Sequence, residues 1–249
     1  MKTIRAVERS ISILNAFRKE RRSLSLSELY DYTELPKPTL LRLLLTMETE
    51  GFIVKNNASN TYILGPAFID LANVVLENID IRSIARPAME RLKQISDETV
   101  NIYIKSGINR ICIDQLVTDR LLKKFSRIGD TLPLYCGASG KVLLAYSEKE
   151  FWEEVICETG LKGFTNNTIT ERETLYKELE KIKQEGYAVS YGEREENIIS
   201  IAVPIFNRDG KISAALAISG PYQRLVDKVE DYRKELIKEA EGISYKYEF

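Results

Sequence analysis

Residues 35–54 read LPKPTLLRLLLTMETEGFIV, and the fold turns on how that run is wound. At about 100° per residue, Leu40, Leu43, Leu44 and Met47 gather on one side of a helix. Thr39, Arg42, Thr46 and Thr49 gather on the opposite side. Pro38 suits the first turn, where its missing N–H would have no partner anyway. Gly51 stops the helix, and Phe52-Ile53-Val54 reads as a strand. A short face bearing hydroxyls and a cation near a helix N-terminus is what a DNA groove accepts. A solvated strip, or one that serves a protein partner, would look the same in isolation.

The flanking sequence sets this helix in a motif. A first helix over residues 4–19 carries Val7, Ile11, Leu14 and Phe17 at three- and four-residue spacing. Ser25 followed by Glu28 has the spacing of a capping box, which opens a short second helix faced by Leu26, Leu29 and Tyr30. A tight turn through Thr33-Glu34-Leu35-Pro36 leads into the Leu-rich helix, giving a helix-turn-helix. Residues 52–55 and 61–64, joined by the polar KNNASNT, read as a β-hairpin wing. Residues 1–65 are thus expected to form a winged helix-turn-helix domain. They carry ten basic and seven acidic side chains, a net charge of +3, and the remainder carries −4. That asymmetry fits a nucleic-acid module joined to a neutral-to-acidic partner domain.

Gly65-Pro66 marks a boundary, and a linker helix is expected over residues 66–79. Its stripe of Phe68, Leu71, Ala72, Val75 and Ile79, widened by Val74 and Leu76, is more apolar than a solvated linker needs. Packing on its own domain and a contact between two copies are both open. Residues 80–249 begin with a second amphipathic helix. They continue through strand-like runs near residues 100–104, RICIDQLV, GYAVSYGE, IISIAVPIFN and KISAALAIS, with helices among them and a long one at the end. Runs of strands bracketed by helices predict an α+β sheet domain.

The chain has 249 residues, 44% of them hydrophobic, enough for one to two domains with a substantial core. No apolar run approaches the roughly 20 residues of a membrane span, and the polar start does not read as a signal peptide. Cys112, Cys136 and Cys157 are odd in number and widely spaced, so reduced thiols in the cytoplasm are expected rather than a disulfide framework or zinc motif. There is no histidine. A Ser-His-Asp triad, a Cys-His dyad and a His-ligated metal are therefore excluded, and no cofactor is expected.

Three passages in order, LPKPTLLRLLLTMETEGFIV, LPLYCGASGKVLLA and GYAVSYGEREENIISIAVPIFNRDGKISAALAISGP, make the chain resemble the IclR family of bacterial transcriptional regulators over nearly its whole length. The resemblance implies an α+β chain: an N-terminal winged helix-turn-helix, a linker helix and a C-terminal GAF-like antiparallel-sheet effector domain. It also implies a homodimer or a dimer of dimers, and a small-molecule effector that is often a carboxylate. The chain departs from the family pattern at Asn197, where glycine is usual, at Pro38, where serine commonly precedes the matched threonine, and at Leu41, where a polar side chain is frequent. Asn tolerates positive φ, so the turn at Asn197 is expected to survive.

Contacts with double-stranded operator DNA are expected from the outer strip and the wing. Arg42 reads a base edge, Thr39 a base edge or phosphate, and Leu41 a thymine methyl. Lys37 and the wing residue Lys55 neutralise phosphate, and Thr46 completes the polar strip. With only +3 on the module, binding is expected to need two copies and a pseudo-palindromic site. In the resemblance the effector-contacting positions match Ala138, Ser139, Ser190, Ser200, Ala217 and Ser219, with Leu121 lining the pocket. CGASGKVLLA places small residues at an apparent helix start, where backbone N–H groups favour an anion. Lys141 is expected to bind a carboxylate or solvent, and Lys123, Lys124 and Arg127 to lie on a solvated face, with positive charge near the pocket mouth as the alternative. Two rival readings stand beside the regulator: a GAF-like thiol-dependent enzyme using Cys112 or Cys136, and a pure protein-interaction module.

Overall fold

A computed structural model describes residues 3–20, 23–77, 80–124 and 126–247, and the chain divides into two compact units, Met1–Asn78 and Ile79–Phe249. The first runs α1 (Arg5–Glu20), β1 (Leu24–Ser25), α2 (Leu26–Thr33), α3 (Lys37–Thr49), β2 (Ile53–Asn56), β3 (Thr61–Leu64) and α4 (Ala67–Glu77). Its capping box is formed. Ser25 N donates to Glu28 Oε2 at 2.8 Å, and Ser25 Oγ accepts from the Glu28 N–H at 3.3 Å. Glu34 turns the chain out of α2 at φ 55°, returning its N–H to the Tyr30 carbonyl at 2.7 Å. The strands pair antiparallel in the order β1-β3-β2, with Val54 opposite Ile63 and Leu24 opposite Tyr62. Ile13, Phe17, Leu29, Leu40, Leu44 and Ile53 close the core beneath α3. These elements make a winged helix-turn-helix.

The start of α4 packs on the wing, with Phe68 and Phe52 edge to face at 5.3 Å between ring centroids. Beyond that contact its stripe is open: Leu71, Val74 and Val75 are all exposed. Ile79, the last residue of the expected stripe, lies outside the described residues.

The second unit is built on one antiparallel sheet in the order β6-β5-β4-β9-β8-β7. The strands are β4 (Thr99–Ser106), β5 (Asn109–Leu116), β6 (Thr131–Pro133), β7 (Ala188–Tyr191), β8 (Ile198–Phe206) and β9 (Ile212–Pro221). One face carries Ile102, Ile199, Ile201, Val203, Leu216 and Ile218 against α5 (Asp80–Ser96) and α10 (Val229–Tyr247). Before α10 the chain makes a short helix, α9 (Tyr222–Leu225), and a 3-10 turn (Val226–Lys228), so the long final helix begins at Val229. The other face carries a patch of small residues, Ala188, Ala202, Ala215 and Ala217. Against it pack α6 (Ala138–Ala145), α7 (Lys149–Thr159) and α8 (Arg172–Glu185). Small side chains there let α6 approach the sheet closely, and all eight of its residues are buried.

A β-bulge in β5 decides which side chains of that strand face α6. Tyr103 pairs with Cys112 but Ile102 pairs with Asp114, so Ile113 is the extra residue. Past the bulge the faces exchange. Arg110 and Cys112 stay on the α6 side, while Asp114 turns to α5 and is held by Arg86 Nη1 at 3.1 Å.

Candidate DNA-binding helix and effector cavity

α3 presents its buried side as expected, with Leu40, Leu44 and Met47 in the core. Leu43 is half-buried. On the outer side Arg42 and Thr46 are exposed and Thr39 is half-buried. Among the described residues the Arg42 guanidinium has no hydrogen-bond or ion-pair partner, so its fork is open to a ligand. The Thr46 hydroxyl donates to the Arg42 carbonyl at 3.0 Å, which leaves the oxygen lone pairs facing outward. Leu41 is exposed, and so is Leu45 one turn further on, which the sequence reading did not single out. Lys37 lies over the Tyr30 ring at 5.9 Å and Lys55 over the Tyr62 ring at 5.8 Å, two exposed-side cations steadied by aromatic faces. Pro36 caps α3 without a side-chain acceptor, so the first-turn N–H groups have no internal partner.

In the second unit, sheet register gathers hydroxyls into a row. Ser190 pairs with Ser200, Ser200 with Ser219, and Ser219 with Thr99, so four adjacent strands each place one hydroxyl residue on the α6 side. Ser200 and Ser219 hydroxyls are hydrogen-bonded at 2.8 Å. Above the row sits the N-terminus of α6, entered through Gly137 at φ 81°. Between them lies a cavity of about 50 Å³ lined by Ala138, Ser139, Ser190, Ser200, Ser219 and a set of charged residues. That volume holds on the order of four water-sized groups. Five of the seven expected effector positions therefore share one cavity.

The other two are elsewhere. Leu121 stands fully exposed, at 103% of its reference surface, on the connection between β5 and β6, and does not line the cavity. Ala217 is fully buried one register row away, opposite Asn101 and Ala202, and does not line the cavity.

The charged groups of the cavity wall are Lys124, which the sequence reading had weighed for the pocket mouth, and Arg110, Glu193, Arg194 and Glu195, which it missed, with the Tyr103 ring beside them. Arg110 comes from β5 and is 5% exposed. Its Nη1 donates to the carbonyls of Pro133 and, at 2.8 Å, Cys136. Its guanidinium carbon lies 5.4 Å from the Tyr103 ring centroid, and its Nε is buried without an acceptor among the described residues. Burial pulls this guanidinium below its ordinary pKa, with the neighbouring Tyr103 and Cys136 opposing the pull. Gly140 is required by the same side chain. A Cβ there would fall against the Arg110 guanidinium and 2.5 Å from the Leu134 carbonyl oxygen.

Glu193 works behind the cavity. One oxygen accepts the Gly137 N–H at 3.0 Å and the other accepts from Lys141 Nζ at 2.6 Å. Lys141 also reaches Glu178 at 2.7 Å, so the lysine expected to meet a carboxylate or solvent is buried between two carboxylates. Burial opposes the Lys141 charge, but Glu193 and Glu178 together raise its pKa. Lys124 pairs with Glu195 in the cavity wall, at the pocket mouth rather than on the solvated face expected of it. Arg127 does not line the cavity, and Lys123 donates to the Thr118 carbonyl at 3.1 Å. Burial pushes the Cys136 thiol up to about 11, helped by Glu193, and the Cys112 thiol up to about 12. Neither is poised as a nucleophile at neutral pH. No described helix is long and apolar enough to cross a membrane.

Comparison with known proteins bears on both units. The family model for the IclR helix-turn-helix domain matches residues 6–57, and that for the bacterial transcriptional regulator IclR C-terminal region matches residues 73–245. The HTH-type transcriptional regulator KipR of Bacillus subtilis (strain 168) is 34% identical over 236 residues, spanning 95% of this chain and 94% of its own. The HTH-type transcriptional repressor AllR of Escherichia coli (strain K12) is 32% identical over 239 residues, covering 96% of this chain and 88% of its own. An IclR transcriptional regulator from Alicyclobacillus acidocaldarius superposes with a TM-score of 0.86 at 27% identity, over 99% of this chain and all of the other. An IclR homolog from Microbacterium hydrocarbonoxydans, solved in complex with 4-hydroxybenzoate, superposes with a TM-score of 0.85 at 26% identity, over 97% and 98% of the two chains. The two family models together cover most of the chain, and the chain belongs to the IclR family of bacterial transcriptional regulators.

Proposed function

We propose that the chain binds pseudo-palindromic operators as a dimer or dimer of dimers, and that a small carboxylate in the second unit's cavity sets its affinity for DNA. The observation that carries the DNA part is the open Arg42 fork on the outer face of α3, flanked by Thr39, Leu41, Thr46 and the two lysines. Arg42 reads guanine O6 and N7, while Lys37 and Lys55 fix the protein on phosphate. One copy carries little excess charge and reads few base pairs, so two copies are needed for a specific site. The exposed apolar stripe of α4 supports contact between copies.

In the cavity the carboxylate sits at the α6 N-terminus, against the Ala138 and Ser139 amides, ringed by Ser190, Ser200 and Ser219. The similar protein that binds 4-hydroxybenzoate, itself a carboxylate, supports this ligand class. Coupling of this kind is typically worth about 1–3 kcal/mol, or roughly 5- to 150-fold in DNA affinity. The test is fluorescence anisotropy of a duplex carrying the selected site, for wild-type and Ser139→Trp protein, with acetate, propionate and lactate. At least one is expected to change wild-type DNA affinity about five-fold or more and to leave Ser139→Trp unchanged. No response, or the same response in both proteins, would refute the cavity's role.

A further inference from the structure

The helix N-terminus does not by itself make this cavity an anion site, because an internal carboxylate already uses part of it. Glu193 takes the Gly137 N–H and neutralises Lys141. What remains is a matter of charge. Lys124 is matched by Glu195. Lys141 with Glu178 and Glu193 carries one excess negative charge. Arg110 and Arg194 bring two positive charges to the wall. One positive charge is left over, and the buried member of the pair is Arg110. Its Nη1 is spent on two main-chain carbonyls, while Nε is buried with no acceptor. A buried guanidinium paired only with neutral carbonyls is costly to hold, and the cost falls when an anion meets it.

Resting on the proposed carboxylate site, we infer that Arg110 is the group that anchors the effector's charge, and that the cavity selects a small monoanion over dianions and neutral isosteres. Arg110 reaches the site from β5, on the same side of the sheet as the hydroxyl row, with Tyr103 covering the face of its guanidinium. The carboxylate accepts from the free edge of the guanidinium, and the serine hydroxyls take up the rest of the ligand's polarity. A second carboxylate would add a negative charge next to Glu193 and Glu195, where the one other cation of the wall, Arg194, is already offset in the count by the excess negative charge of the Lys141 cluster. The volume of about 50 Å³ excludes all but short chains while Lys124 and Glu195 remain paired across the mouth.

The experiment is calorimetric titration of the full-length protein with acetate, propionate and lactate as monocarboxylates, malonate and succinate as dicarboxylates, and propionamide as the uncharged isostere of propionate. Wild type is compared with Arg110→Met and with Arg110→Lys, which keeps the charge but not the planar fork. At least one monocarboxylate is expected to bind wild type, and Arg110→Met to weaken it about 30-fold or more, the range for a charge-assisted hydrogen bond. Arg110→Lys should fall between the two. The preference for propionate over propionamide should collapse to about one in Arg110→Met, which a merely structural loss would not produce. Equal monocarboxylate affinity in wild type and Arg110→Met would overturn the assignment of Arg110 while leaving the cavity reading intact. Tighter binding of malonate or succinate would overturn the charge count. Absence of binding by every carboxylate would overturn this inference together with the carboxylate reading on which it rests.

Discussion

Replacing Lys141 by methionine takes the cation out of a cluster that is otherwise closed. The lysine side chain is 2% exposed, Glu193 7% and Glu178 25%. Breaking a buried pair by removing one partner costs about 3–5 kcal/mol, because the remaining charge stays buried and unmatched. Here Glu178 is near enough to the surface to hydrate, and Glu193 keeps the Gly137 N–H at 3.0 Å, so the lower end, about 3 kcal/mol, is expected. The assay is built into the chain. Trp152 is the sole tryptophan, fully buried on α7 with its Nε1 donating to the Leu144 carbonyl of α6 at 2.7 Å. Its fluorescence in urea therefore reports the unit that holds the cluster. With a slope of about 2 kcal/mol per molar, the midpoint should fall by about 1.5 M in Lys141→Met. The two carboxylates hold the Lys141 pKa above its ordinary 10.5. The stabilisation is therefore complete below that value and is lost as pH rises through the folded-state pKa. The penalty should be constant between about pH 6 and 9 and shrink only in stronger alkali. The double variant Lys141→Met/Glu193→Gln should cost less than the sum of the singles. A midpoint shift below about 0.3 M would mean that the cluster contributes no more than a surface ion pair, and the burial argument would fail.

Arg42→Ala should weaken operator binding by about 1–3 kcal/mol and relax preference at one base pair, read by competition between duplexes; unchanged affinity would remove Arg42 from the interface. Lys55→Ala should weaken all duplexes alike and lower the salt slope by about one, so a sequence-dependent loss would contradict a phosphate role. Gly140→Ala should lower the Trp152 urea midpoint, costing about 1–3 kcal/mol, because its Cβ would meet main-chain oxygens of Pro133 and Leu134 that cannot rotate away; a wild-type midpoint would refute the close approach. At pH 8, native protein should alkylate at the exposed Cys157 alone. Cys136, with its pKa near 11, holds about one thiolate in a thousand at that pH, and rapid labelling of Cys136 would revive a thiol-based reading.

The helix-turn-helix was legible because its signals are local. A 3.6-residue stripe, a Ser-Glu pair at capping spacing and a proline in a first turn each depend on neighbours within one turn. Asn197 was legible for the same reason, and it holds φ 60° where a glycine is usual in the family. The cavity was legible only in part. The small residues before α6 and the serines could be placed by resemblance, but that they form one row depends on the pairing of β7, β8, β9 and β4, which no local pattern reveals. Arg110 reads in sequence as one polar residue in an alternating strand. Its role depends on Gly137 and Gly140 coming within reach across some 30 residues of chain. The bulge at Ile113 hides the same information, since strict alternation would put Asp114 beside Arg110 and not against α5. Leu121 lies outside the cavity for the opposite reason. Its expected place came from a matched position on a connection between strands, and no hydrophobic periodicity fixes the direction of a loop side chain.

That α3 reads DNA in pairs is tested most directly by selecting bound duplexes from a random pool with the full-length protein at near-physiological salt. The expected result is enrichment of an inverted repeat whose half-sites lie about one helical turn or a multiple apart, with the preference at one base pair per half-site relaxed in Arg42→Ala. Affinity for the enriched site should also fall steeply with salt. A pool that stays random with and without small carboxylates would contradict paired readout, and so would binding indifferent to salt; the polar strip of α3 would then belong to a protein partner.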